Sequence, residues 1–515
     1  MPPSAASEFV KAEQPTLVFQ GEDLDSWVHG LAARTQGGAD APVDVTMPDG
    51  KKFRLAVKPD ASGNGIMGEV LSPSPGNFTF ATRPDTGAVS FGVLVAKDGS
   101  YAYHTERRDD DKVALVETTL SKVVCATDEG TGLPLPPGQT PQEIPIPEDH
   151  PDTSINIPDS QNGIIPLQSL PGAPAVVYLD FDGESGPHNG WGDFEAEHSG
   201  LNNTQIKEIW QWVAEAFVTF SINVTTDVSV FDAATFKQRC IITPTKNAIG
   251  TAGGIAYINS FDSGGATPCW ALNYTGEAAG MVITHEVGHT LGLGHDGFNA
   301  DDYYGGHGSG AESWGPFMGT AYGRSFKHWS PGDYTGATNT QNDLAVIDNW
   351  AQISIRADDV GNNIASAEAL RVFSDGTVDN PQIIESRTDR DFYHFRTNGG
   401  NMTLNFQRTA PGGALNIEAV LYDSAGAVLV TANEPENPNA TINTNLAAGD
   451  YYVSIDGVAR TGANGFSDYG CIGAYNITGT IAGVVAPQRF AVNEGTAPGS
   501  VVGTTTAWKD HAGAT

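Results

Sequence analysis

The segment HEVGHTLGLGH, residues 285–295, contains three histidines and a glutamate at spacings that suit metal chemistry. His285 and His289 are four residues apart, so on a helix they share one face and can bind the same metal ion. Gly292 can end that helix in a left-handed conformation and turn the chain, which lets His295 approach as a third nitrogen ligand. Three histidines with a fourth position left open are typical of a catalytic zinc site, not a structural one.

Glu286 is placed to act as the general base of such a site, because it directly follows the first of these histidines. Zinc lowers the pKa of a bound water and polarises the scissile carbonyl, and a nearby carboxylate takes the proton and passes it to the leaving amine. The pattern therefore predicts a zinc endopeptidase that acts on proteins or peptides. A histidine-rich helix end formed by chance is the simpler interpretation, but it leaves the positions of Gly292 and His295 unexplained.

The segment resembles the metzincin clan of zinc endopeptidases, and Asp296 directly after His295 is similar to the reprolysin branch. The resemblance implies an α+β catalytic domain with a Met-turn downstream of the motif. Residues 315–319, GPFMG, match that turn, so Met318 is expected to form an apolar floor beneath the imidazoles; a methionine that fills a core gap is the alternative. Thr320 stands where some members of the clan carry a tyrosine ligand, so we expect no fifth protein ligand.

Other residues of the same unit allow two interpretations each. The strand GIAYI, residues 254–258, resembles the edge strand that lines a metzincin cleft and binds extended peptides, although an ordinary core strand has the same pattern. Cys240 and Cys269 flank this strand and form either a disulfide or two free buried thiols. Four histidines lack ligand spacing and are expected to be solvated loop residues: His188, His198, His307 and His328.

The 515 residues suggest three to four domains at ~150 residues each. Composition and periodicity predict a β-rich N-terminal unit at 1–129, a Pro-rich acidic linker at 130–172 and the catalytic unit at 173–356. An all-β unit follows at 357–482, and the remaining segment, 483–515, is too short to build its own core. The predicted fold class is a multidomain protein, in which an α+β metzincin catalytic domain lies between a β-rich prodomain and a C-terminal β-sandwich.

The C-terminal modules resemble known families as well. Residues 361–480 resemble the bacterial pre-peptidase C-terminal domain, a β-sandwich attached to secreted proteases, through GNNIASAEAL, ESRTDRDFYHF and LAAGDYYVSIDG. Asp389 and Asp391 in the second of these segments either bind Ca²⁺ or are solvated loop acids. Residues 489–510 resemble the first strands of a cadherin-like repeat, from which we expect a longer gene product.

The N-terminal unit lies where metzincins carry a propeptide. Cys125 precedes the Pro-rich linker, and its thiolate could occupy the open zinc position and keep the precursor latent. A buried structural cysteine is the alternative, since the surrounding sequence does not closely match known switch motifs. In either case the linker is expected to be extended and accessible, so a cut there would release the active enzyme.

Composition restricts partners and location. The chain has 61 acidic and 27 basic residues, a formal charge of −34, which disfavours nucleic acids and anionic membranes as partners. No apolar run reaches the ~18 residues of a membrane span. Acidic charge, Gly- and Pro-rich β modules and a propeptide favour a secreted, extracellular protein, but no signal peptide is visible, so we expect the true start upstream of Met1.

An extracellular adhesive or binding protein with a non-catalytic zinc site is the competing class. Glu286 disfavours it, because a structural metal site needs no general base. The sequence leaves the cleavage specificity and the oligomeric state open.

Overall fold

The computed structural model describes residues 16–35, 42–60, 64–108, 113–128 and 163–484, apart from short gaps at 187, 189–190, 192–193, 246–251, 264, 273, 410, 435 and 463. The protein is multidomain and mostly β, as predicted. Most of the predicted linker and the cadherin-like segment lie outside the described residues. Among the helices that the structure describes, none is both long enough and apolar enough to span a bilayer.

The N-terminal unit packs one helix against an antiparallel sheet. The helix, α1, spans Glu22–Thr35, and its buried residues Leu24, Val28 and Leu31 recur at helical spacing and join the core of the sheet. The eight strands are β1 Thr16–Gln20, β2 Val43–Thr46, β3 Lys52–Pro59, β4 Gly65–Ser72, β5 Gly76–Thr82, β6 Val89–Ala96, β7 Ala102–Arg107 and β8 Val113–Thr118. Their order is β1-β8-β7-β6-β5-β4-β3-β2.

The second unit is a mixed sheet with helices, and it contains the histidine motif. Its strands are β9 Val124–Asp128, β10 Ala175–Asp180, β11 Glu184–Ser185, β12 Glu195–Ala196, β13 Ile222–Thr225, β14 Phe236–Thr243, β15 Ala252–Tyr257, β16 Cys269–Leu272, β17 Trp314–Pro316 and β18 Phe326–His328. Its helices are α2 Asn203–Ala216, α3 Val228–Ala233, α4 Gly276–Thr290 and α5 Asp343–Asp348. Six strands form the main sheet in the order β13-β10-β14-β16-β15-β9, in which β15 and β9 are antiparallel to their neighbours.

Strand β9 belongs to the N-terminal unit in sequence but to the main sheet of the second unit in space. It pairs with β15, with Cys125 opposite Ala256 and Thr127 opposite Gly254. Strand β16 takes the other edge of β15, so both edges of β15 are paired. Strand β15 is therefore internal to the sheet while β9 is in place.

The chain immediately before β10 packs against β13 and is not part of a free linker. The sequence assigns 163–172 to the linker, yet the structure lays these residues along β13. The backbone N–H of Ser169 donates to Val224 O at 3.0 Å, and that of Leu167 donates to Thr226 Oγ1 at 2.9 Å. Polar side chains at the end of β13 thus accept hydrogen bonds from the backbone N–H groups of this segment, which has little apolar periodicity of its own.

The third unit consists of two sheets that share one core, and all their strand pairs are antiparallel except the short β19, which runs parallel to β21. The first has the order β19-β21-β26-β23-β24 and the second β20-β27-β22-β25, with β19 Glu368–Ala369, β20 Thr377–Ile384, β21 Arg390–Thr397, β22 Gly400–Arg408, β23 Ile417–Asp423, β24 Val428–Ala432, β25 Ala440–Leu446, β26 Gly449–Gly457 and β27 Gly473–Ile481. The hydrophobic core of this sandwich is continuous with that of the catalytic unit.

Candidate metal centre

Helix α4 carries the first two histidines through the interior of the catalytic unit. Every residue from Ala279 to Thr290 is buried, which is typical of a helix with apolar residues all around it. The helix ends in a Schellman motif, because Leu293 N donates to Gly288 O at 3.1 Å and Gly292 N donates to His289 O at 2.9 Å. Gly292 has a φ of 100°, so the predicted left-handed helix end is confirmed.

The turn after α4 brings His295 back to the two helical histidines. Ring nitrogens of His285, His289 and His295 all lie within 4.8 Å of one another. The Nδ1 of His285 donates to Phe317 O at 3.1 Å, and the Nδ1 of His289 donates to Leu293 O at 2.7 Å. Because both Nδ1 atoms carry the protons, the Nε2 atoms of these two rings present lone pairs toward the centre of the group.

Burial keeps the three imidazoles neutral. It lowers the pKa of His285 to about 4 and, together with the neighbouring His285, that of His295 to about 3. It also holds the pKa of His289 well below its usual value. The Nε2 atoms of His285 and His289 are 3.0 Å apart, and two lone pairs at that distance favour a cation between them. The donor set and its protonation therefore fit a zinc ion.

Glu286 lies beneath strand β15. Its side chain is fully buried at 0 % exposure. A Cβ built on Gly254 of β15 would lie 2.5 Å from Glu286 Oε1, so only a glycine lets the strand approach this closely. The carboxylate of this residue, which follows His285 on α4, is thus held against the backbone of β15.

The predicted Met-turn residue lies against the same helix. Met318 is fully buried, and a Cβ on Gly288 would be 2.6 Å from its sulfur. Asp296 N donates to Met318 O at 2.9 Å, which ties the residue after His295 to this turn. Met318 is placed where a floor beneath His285 and His289 would be, and the assignment stays a prediction.

Two neighbours of the metal centre were not predicted from the sequence. The ring of Tyr303 packs on His295, with centroids 4.2 Å apart and an interplanar angle of 40°. His328 was expected in a solvated loop, but it is buried with an exposure of 2 % and ends strand β18. Neither residue has a spacing relative to the motif that indicates its position, because loops of irregular length separate them from α4.

In the structure the two cysteines take the free-thiol form, one of the two interpretations that the sequence left open. Cys240 and Cys269 lie directly opposite each other on the parallel strands β14 and β16, but both are free, buried thiols. Burial, reinforced by the neighbouring Cys240, raises the pKa of Cys269 well above its usual value. The Cys269 thiol therefore keeps its proton, and both side chains act as core packing.

Comparison with known proteins identifies part of this unit. The sequence profile described as metallo-peptidase family M12B, reprolysin-like, matches residues 220–296, from just before β13 to the residue after His295. Residues 220–296 are thus reprolysin-like. The reprolysin-like match supports a metallopeptidase, and it implies zinc as the metal and proteins as substrates.

A solved domain also aligns with part of the chain. The pre-peptidase C-terminal domain of a collagenase from Bacillus anthracis aligns over 23 % of this chain and 100 % of that domain, with 15 % identity and a TM-score of 0.17. No curated protein matches the chain significantly.

Replacing Gly292 with alanine should destabilise the metal centre. Alanine is unfavourable at a positive φ, and its Cβ would lie 2.5 Å from Asn259 Oδ1, so we expect a loss of about 1–3 kcal/mol in the free energy of unfolding and weaker zinc binding. Gly200 is the matched control, because it also has a positive φ, of 73°, but a Cβ placed there would have nothing within 4 Å. Urea unfolding and zinc titration of both variants measure the effect; equal losses would contradict it.

Proposed function

We propose that the protein is a secreted zinc endopeptidase in which Glu286 is the general base. The observation that carries this proposal is the burial of Glu286, the residue after His285 on α4, against the backbone of β15. A buried carboxylate beside three neutral histidines is suited to proton transfer, and it has no function in a purely structural metal site. An adhesive protein with a non-catalytic zinc site is therefore the less favoured alternative.

Each group of the proposed active site would have its own function in peptide hydrolysis. His285, His289 and His295 would hold the zinc ion, which when bound polarises the scissile carbonyl and lowers the pKa of water. Glu286 would accept the proton of the attacking water and deliver it to the leaving amine. The backbone of β15, once its edge is free, would hold an extended substrate strand by main-chain hydrogen bonds.

Removal of the general base separates catalysis from metal binding. After the linker is cut, Glu286→Ala should bind zinc as the wild type does and lose roughly 10²–10⁴-fold in kcat, because only the proton transfer is removed. His295→Ala should lose zinc affinity and activity together. His198→Ala is the control, since His198 is an exposed histidine of the same unit. Casein hydrolysis at the wild-type rate by the Glu286 variant would refute the proposed base.

The N-terminal unit would keep this enzyme latent. Strand β9 takes the one edge of β15 that β16 leaves available, and it runs antiparallel to β15 from Val124 to Asp128. A substrate strand needs the same edge, so it can bind only after β9 has left. A cut within the linker, whose residues 130–162 lie outside the described part of the chain, would free the N-terminal unit to dissociate.

Two substitutions distinguish a strand plug from a thiol switch. Thr127→Pro removes a backbone donor of β9 but keeps the cysteine, whereas Cys125→Ser keeps the strand but replaces a possible thiolate ligand with a poor one. We expect uncut Thr127→Pro to hydrolyse casein and uncut Cys125→Ser to stay latent until the linker is cut. Activity of uncut Cys125→Ser alone would favour the thiol switch, and full activity of the uncut wild type would reject latency.

An acidic cluster at the start of the sandwich supports the proposed Ca²⁺ site. Carboxylate oxygens of Asp358, Asp389 and Asp391 lie within 4.8 Å of one another. Asp389 and Asp391 are 3 % and 0 % exposed, so the alternative of solvated loop acids is wrong. Glu385 is equally buried and shares a side-chain hydrogen bond with Asp389, and among the described residues no hydrogen-bond donor reaches Oδ1 of Asp391.

Such a cluster must hold either protons or a cation. Burial, reinforced by the neighbouring carboxylates, raises the pKa of Asp391 to about 8 and that of Glu385 to about 9. Without a metal these groups keep their protons at neutral pH, and raising the pH from about 4 toward 8 to 9 removes stability, because the unfolded chain releases protons that the folded chain still holds. Hard oxygen ligands of this kind suit Ca²⁺.

Calcium should therefore stabilise the protein, and more strongly at higher pH. We expect Ca²⁺ to raise Tm at about pH 8.5 by more than at about pH 6, because binding must displace protons from the cluster. Asp391→Asn should abolish the rise, whereas Asp375→Asn, at an exposed turn of the same sandwich, should preserve it. A Tm that neither Ca²⁺ nor a chelator changes at either pH would disprove the site.

The extracellular location remains a proposal from composition. Acidic charge, β modules rich in Gly and Pro and a removable N-terminal unit are typical of exported proteases. Fractionation of the native host tests it: the protein should be found in the medium, and a purely cytoplasmic protein would refute secretion.

A further inference from the structure

The Met-turn is carried by a very small sheet. Strands β17 and β18, which together we call the Met-turn ribbon, have three residues each and pair in parallel, with Trp314 opposite Phe326 and Pro316 opposite His328. Two strands of this length do not form a stable sheet alone. The position of the ribbon must therefore depend on what packs against it.

His328 connects both strands of the ribbon to the sandwich. Trp314 Nε1 donates to His328 Nδ1 at 2.9 Å, so the ring carries its proton on Nε2. That Nε2 donates to Ala414 O of the sandwich at 2.8 Å. One buried imidazole in a single neutral tautomer thus joins β17, β18 and the neighbouring domain.

The same strand is joined to a metal ligand through one residue. Phe317 N donates to His328 O at 2.8 Å, and Phe317 O accepts the Nδ1 proton of His285 at 3.1 Å. The carbonyl that selects the tautomer and orientation of His285 therefore belongs to a residue whose own amide N–H is bonded to the backbone of His328.

Residues of the sandwich pack directly against His328 and its strand. Phe466 packs on Phe326 with ring centroids 4.8 Å apart, and it meets His328 edge to face at 5.3 Å. A Cβ on Gly470 would lie 2.4 Å from the Cβ of His328, so the sandwich backbone leaves no room for the imidazole to shift toward it.

We propose that His328 is a positioning residue, through which the β-sandwich holds the Met-turn ribbon and thereby orients His285. The sandwich is then a working part of the catalytic unit and not a detachable module. The inference rests on the proposed zinc site, but the mechanical connection itself needs no metal.

Two variants at one position test the connection. His328→Asn retains an acceptor near Trp314 but is too short to reach Ala414 O, whereas His328→Gln retains a donor at the reach of Nε2. We expect His328→Asn to bind zinc about tenfold more weakly, with a larger change in kcat than in KM, and His328→Gln to restore most of both. In the zinc-free protein the Phe317 amide should exchange with deuterium faster in His328→Asn than in the wild type.

Tyr469→Phe is the matched control for general weakening of the domain interface. Tyr469 OH, from the sandwich, accepts from Leu344 N at 2.8 Å and donates to Asn342 Oδ1 at 2.7 Å, at α5 and not at the ribbon. Its removal should lower Tm without changing zinc affinity or Phe317 exchange. If His328→Asn fails to fold, Gly470→Ala, which presses on His328 without removing a bond, should weaken zinc binding instead.

The outcomes are separable. Zinc affinity that is unchanged in His328→Asn, or equally reduced in Tyr469→Phe, would overturn the positioning function. A wild-type protein that binds no zinc would refute the proposed function, while amide exchange at Phe317 in the zinc-free chain would still test the connection to the sandwich.

Discussion

The structure around the metal centre depends on two backbone carbonyls that accept the Nδ1 protons of His285 and His289. These bonds leave the Nε2 lone pairs of the two rings facing each other on one side of a buried helix. That arrangement costs energy unless a cation lies between them. One carbonyl, of Leu293, is delivered by the Schellman turn at Gly292, and the other, of Phe317, by the Met-turn ribbon. Helix end, ribbon and sandwich are thus successive supports for the orientation of two imidazoles.

Local patterns were the part of this arrangement that the sequence could predict. The helical spacing of His285 and His289 and the positive φ of Gly292 follow from periodicity and from the properties of glycine, which act within a few residues. The pairing of β9 with β15 could not be predicted, because nothing in either strand specifies a partner about 130 residues away. The burial of His328 was mispredicted, and that of Asp389 was left open, for the same reason: polarity indicates exposure until tertiary contacts override it.

Protonation affects the histidine site and the acidic cluster of the sandwich in opposite directions. The buried imidazoles have lowered pKa values. Without metal, the folded protein therefore loses stability as the pH falls below about 6.5, where the unfolded chain binds protons and the folded chain does not. The buried carboxyls of the acidic cluster have raised pKa values, so the folded protein loses stability as the pH rises above about 4 toward 8. Each group is held in its uncharged form, and a bound cation removes the penalty at either site.

The pairing of β9 also bears on how the proposed enzyme would survive after the proposed removal of its N-terminal unit. A sheet whose outermost strand departs presents a row of unpaired N–H and C=O groups, which is a template for strands of other copies of the same chain. A strand edge that binds any extended peptide cannot be protected by charged residues or proline, because these would also prevent substrate from binding. An activated molecule would therefore be prone to pair with its own kind or to be cut by it, and its working lifetime would be set by dilution and substrate supply as much as by the stability of its fold.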